Sequence, residues 1–233
     1  GFKEDNITIA AQAEYFRKSV KALLLAYPEL KGIGVTAGEY MQRVSDNEKE
    51  AWLMNTYGQG ILDALKDPSQ QGRKITFLHR THQADPSDIL STFKPLREAG
   101  VDFVFSDKYA AAHVYSATEQ KDNQKFVDKL STLNRSGDPV KTIWTMRNDS
   151  TFIFRTALPG FMRELVNNIP KGVTRGYYFG SDNWIWGREF LRQGVTGPRQ
   201  LEVRKHWFQW MLWGRLAYDP TLTADRLQAI LKA

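Results

Sequence analysis

The chain contains no cysteine, so disulfide frameworks, thiolate metal sites and thiol nucleophiles are excluded, and its redox compartment leaves no trace in cysteine usage. It also lacks a long apolar run. The longest, Ala22 to Tyr27, falls far short of the roughly 20 residues that cross a bilayer, so a soluble chain without a membrane partner is expected. Neither G-x-G-x-x-G nor G-x-x-x-x-G-K-[ST] occurs, which counts against an open sheet built around a nucleotide, and no cofactor is expected. The first residues, Gly1-Phe2-Lys3-Glu4-Asp5-Asn6, carry neither an initiator Met nor a charged-then-apolar leader. A natural N-terminus further upstream is therefore expected, and with it a periplasmic or secreted location.

What is present suffices for a core: 42% of the 233 residues are hydrophobic, which excludes a disordered chain. The net charge of +6 would permit binding to nucleic acid or to an acidic polymer. Lys and Arg are dispersed, however, and the seven Trp do not follow an RNA-binding signature, so nucleic acid is not an expected partner.

Five short β-type runs alternate with amphipathic helical stretches: Gly32–Thr36, Lys74–Leu78, Val101–Phe105, Lys141–Thr145 and Gly176–Phe179. A helix is predicted from Ile9 to Tyr27, stopped by Pro28. Ser45 with Glu48 forms a capping box ahead of Ala51-Trp52-Leu53-Met54, and Asp85-Pro86 sets a cap residue before an N1 proline. Another helix is predicted from Pro198 to Leu216, broken by Asp219-Pro220, with a short one from Thr223. The expected fold is α/β, with this chain supplying about the last five βα units of a (β/α)8 TIM barrel, since a complete barrel usually needs about 250 residues. Residues 1–218 would be the C-terminal part of the catalytic barrel and residues 219–233 a helical tail. The missing N-terminal strands or domain would be its partner.

Barrel active sites gather at the C-terminal ends of the strands. The five exits carry Glu39; then His79, Arg80 and His82; then Asp107, Lys108 and His113; then Arg147 and Asp149; and last Asp182, Trp184 and Trp186. Glycosidic cleavage needs one carboxylic acid to protonate the leaving oxygen and one carboxylate as nucleophile or base. Glu39 and Asp149 meet that need across a barrel mouth, with Asp182 and Asp107 as further candidates. As a substrate-binding set, His79, Arg80, Lys108 and Arg147 suit an acidic sugar, Arg in particular gripping carboxylates in bidentate fashion. Trp184 and Trp186 offer flat apolar faces to a sugar ring. His79-x-x-His82 with His113 raises zinc, but residues three apart on a strand exit diverge, so no metal is expected.

Three segments carry a family resemblance, two of them closely. Gly32-Ile-Gly-Val-Thr-Ala-Gly-Glu39 resembles the fourth-strand segment of barrel glycosidases that ends in the acid. Trp210-Met-Leu-Trp-Gly-Arg-Leu-Ala-Tyr-Asp-Pro220 resembles the W-x-x-x-G-R-L-A-x-[DN]-P segment of α-glucuronidase-type, uronidase-like glycoside hydrolases of families 67 and 115. Gly176 to Arg188 is similar to a final-strand segment of uronidase-like barrels. The resemblance implies a carbohydrate substrate, a uronic-acid-containing glycoside from a plant or algal polysaccharide, and Glu39 as general acid. Two other readings stay open: a Schiff-base lyase or aldolase barrel using Lys108, and a non-catalytic carbohydrate-binding barrel.

Overall fold

The computed structural model describes residues 10–37, 41, 44–109, 117–119, 123–146, 157–179, 204 and 207–232. In chain order these form α1 (Ala10–Ala26), β1 (Gly32–Thr36), α2 (Asp46–Leu53), a π turn (Met54–Gly58), α3 (Gln59–Leu65) and a 3-10 turn (Pro68–Gln70). There follow β2 (Thr76–Arg80), α4 (Pro86–Thr92), α5 (Lys94–Glu98), β3 (Asp102–Lys108), α6 (Gln124–Arg135), β4 (Lys141–Met146), α7 (Pro159–Asn168), β5 (Thr174–Phe179), α8 (Trp207–Tyr218) and α9 (Ala224–Lys232). The five strands make one sheet in the order β1-β2-β3-β4-β5. The expected α/β alternation with a parallel sheet is present, with β1 on β2 and β2 on β3 in parallel register. No helix among the described residues is long and apolar enough to cross a membrane.

The chain separates into two compact units. The first takes the described residues up to Asp107 together with Phe126–Ile143; the second takes those between Lys108 and Lys125 and those from Trp144 onward.

In the first unit the core lies between the sheet and the helices that follow its strands. Phe77 and Phe93 are fully buried with ring centroids 5.0 Å apart, and Phe103 and Phe105 close the same cluster. The helix starts read from sequence are as expected. Ser45 and Glu48 bond reciprocally at the start of α2, Ser45 N–H to Glu48 Oε2 at 2.7 Å, and Asp85 accepts from Ser87 N–H at 2.8 Å. Close approach fixes two glycines. A Cβ at Gly32 would stand 2.2 Å from the Thr76 carbonyl oxygen, and one at Gly60 would stand 2.6 Å from that of Arg17, so α1 and α3 pack at a distance only glycine permits. Arg73 satisfies carbonyls left over at the end of α1, donating to Leu24 O at 2.6 Å and Tyr27 O at 3.0 Å.

In the second unit Trp144 is fully buried, its indole N–H donating to Thr174 Oγ1 at 2.8 Å. Arg163 of α7 donates to Pro220 O and Leu222 O at 2.9 and 2.7 Å, tying α7 to the turn before α9. The helix expected from Pro198 is seen from Trp207; residues 198–203 lie outside the described residues.

Candidate functional site

Parallel register aligns the strand ends across the first unit. Thr36, Arg80 and Ser106 are register partners in one row, and Val35, His79 and Phe105 form the row one residue earlier. Side chains alternate between the two faces of a sheet, so the rows face opposite ways. The Val35–His79–Phe105 row is buried, and His79 packs its ring 5.3 Å from that of Phe93 beside α4 and α5. Thr36, Arg80 and Ser106 therefore look away from these helices, the face that a barrel turns inward. Arg80 is half-buried, and its guanidinium makes neither a hydrogen bond nor an ion pair among the described residues. Lys108, two residues beyond Ser106 on β3, shares the face of Ser106, whereas Asp107 alternates to the face of Phe105. Both are half-buried and engaged in interactions.

His79 requires a correction. The sequence reading ends β2 at Leu78 and releases His79 to the exit; the strand instead runs through Arg80, and the two-residue period puts His79 on the face of Phe77. It is fully buried, with Nε2 2.6 Å from Oε2 of Glu50, itself 2% exposed. Extending the alternation Phe77-x-His79 was the signal available in sequence. Glu50 as the partner was not legible, because the pairing is tertiary.

The segment after β2 is tied to its surroundings. Thr81 donates to the Ser106 carbonyl oxygen through N–H at 2.9 Å and Oγ1 at 3.1 Å. Lys49 of α2, 6% exposed, donates to Gln83 Oε1 at 2.5 Å and to Asp46 Oδ1 at 3.0 Å. His82 is half-buried and engaged.

At the end of β1 a cavity of about 270 Å³ is lined by Gly34, Val35, Thr36, Met41, Trp52, Leu53 and Tyr57. Burial pushes the Tyr57 hydroxyl above the ordinary tyrosine range. Trp52 and Tyr57 meet edge to face at 6.4 Å across the π turn, a juxtaposition that α-helical spacing does not anticipate and that sequence reasoning missed.

Glu39, His113, Arg147, Asp149, Asp182, Trp184 and Trp186 lie outside the described residues. Among the described residues no group of three His, Asp or Glu side chains is placed to hold a metal ion.

No protein-family model matches the chain, and comparison with curated proteins finds no match. Among solved structures the chain is similar to one described as a GH138 enzyme targeting pectin rhamnogalacturonan II. The TM-score is 0.70 at 22% sequence identity, over 95% of this chain and 25% of that one. The chain thus spans about a quarter of the length of that structure and shares the fold of the matched part.

Proposed function

We propose that the chain is part of a (β/α)8-barrel glycoside hydrolase acting on uronic-acid-containing oligosaccharides derived from plant or algal polysaccharide. The observation that carries the reading is the Thr36–Arg80–Ser106 row. It sets a guanidinium, without a partner among the described residues, between two hydroxyl-bearing residues at the C-terminal ends of three parallel strands. Arg is the side chain best shaped to grip a carboxylate, and Thr36 beside it is exposed, while Ser106 is buried and engaged within the protein. The similarity in fold to an enzyme described as acting on a pectic polysaccharide supports the class. That enzyme is placed in family 138, so the resemblance to families 67 and 115 rests on the sequence segments alone.

In this reading Glu39 protonates the departing glycosidic oxygen, and Asp149 acts as nucleophile or as the base that takes a proton from water, with Asp182 as its alternate. Arg80, Lys108 and Arg147 hold the sugar carboxylate, and Trp184 and Trp186 stack on the rings; Asp107, which alternates to the face of Phe105, is given no part in this set. His79 leaves the substrate-binding set. The barrel is completed by N-terminal strands or a domain beyond this chain, and the periplasmic or secreted location belongs to the same proposal.

The test is a hydrolysis screen over uronides and neutral glycosides in the full-length protein. Glu39→Gln should lower turnover of poorly activated glycosides by about a hundredfold or more and spare activated aryl glycosides. Arg80→Met should collapse the preference for uronides over neutral sugars. Equal losses on both sugars would remove the acidic-substrate reading, and sugar binding without any hydrolysis would leave a carbohydrate-binding barrel.

A further inference from the structure

Two adjacent residues of α2, Lys49 and Glu50, are both buried, although neighbours on a helix point about 100° apart. Both nonetheless reach the end of β2. Glu50 grips His79 within the strand, and Lys49 grips Gln83, four residues further along. Between these anchors lie Arg80, Thr81 and His82, and Thr81 is held by its double donation to Ser106 O. The exit arc is thus fixed at both ends and in the middle.

Burying an ammonium and a carboxyl group is costly compared with apolar side chains of the same volume, which would join α2 to the sheet just as well. What the polar ties add is direction: each fixes the end of one side chain of the arc to within a hydrogen-bond length. The start of α2 is itself fixed by the Ser45–Glu48 capping box, and Asp46 of the same turn orients the Lys49 ammonium. Arg80 makes no tie of its own among the described residues, so its placement is inherited from the backbone on either side.

We propose that Lys49, with its acceptor Gln83, and Glu50, with His79, are positioning residues that clamp the β2 exit arc and thereby hold Arg80 in a binding-competent setting. The clamp follows from the geometry; its role in substrate binding rests on the reading of Arg80 given above.

A double-mutant cycle on Lys49→Met and Gln83→Ala in the full-length protein tests it, because Gln83 is exposed and its truncation leaves the core untouched. Each single change should raise KM for a uronide about tenfold, with the melting temperature of Gln83→Ala unchanged. The double variant should be no worse than either single, and Lys49→Arg should restore the parental KM. Hydrogen exchange at the Thr81 amide gives a readout independent of catalysis and should quicken about tenfold in both singles and no further in the double. Parental KM and parental exchange in both singles, or losses that multiply in the double, overturn the clamp. Faster exchange in a protein that hydrolyses no glycoside supports the clamp and overturns the functional reading instead.

Discussion

At the scale of single residues, the Glu50–His79 contact shows how two polar side chains can be absorbed into a core by bonding each other. The 2.6 Å contact requires a proton between Nε2 and Oε2, and with that proton on Nε2 the buried Nδ1 presents a lone pair rather than an unsatisfied N–H to the surrounding phenylalanines. Glu50→Ala removes one partner and leaves the other's buried ring N–H without an acceptor, so unfolding in urea should show a loss of about 1 to 3 kcal/mol. Replacing both, Glu50→Leu with His79→Phe, should recover most of that loss. A second pair lies at the α1–α3 contact. Burial alone would raise the Asp63 carboxyl, but the hydrogen bond from Arg17 at 2.5 Å, helped by Gln59 and Lys66, holds it below the usual carboxylate range. Its contribution to stability is complete above the unfolded value of about 3.9 and is lost as pH falls through the lower folded value. The stability difference between the parent and Asp63→Asn should therefore be constant near neutrality and shrink below about pH 4, as followed by thermal unfolding across pH.

Among the elements, local signals were legible and long-range ones were not. The capping box at Ser45 and the Asp85-Pro86 start are decided within four residues of chain, and both form as read. The strand runs were legible as apolar, β-branched stretches, but β2 was placed two residues early, β3 was ended three residues early and β5 was started two residues late. At β2 that shift was enough to move His79 from an exit to the opposite face. The π turn had no sequence mark at all. Gly60 was equally silent, because its reason is the carbonyl of Arg17 on another helix. Gly60→Ala ordinarily strengthens a helix by nearly 1 kcal/mol; here it should cost about 1 to 3 kcal/mol in denaturant unfolding, since α1 must move to admit the methyl group.

For the whole molecule, the alternation of strand and helix announced the α/β class, while the closing of a barrel was beyond what five runs can specify. The outer edge of β1 has no strand partner among the described residues. Its open N–H and C=O groups should make the 233-residue chain associate with rising concentration in light scattering, and on the proposed barrel reading a protein in which a further strand covers that edge should associate less. The strand order has a further consequence, for the making of the protein rather than its finished state. Because each strand lies beside the one just before it in sequence, no pairing must wait for a distant part of the chain. Each βα unit emerging from the ribosome meets an edge already in place, so the sheet can grow at the pace and in the direction of synthesis.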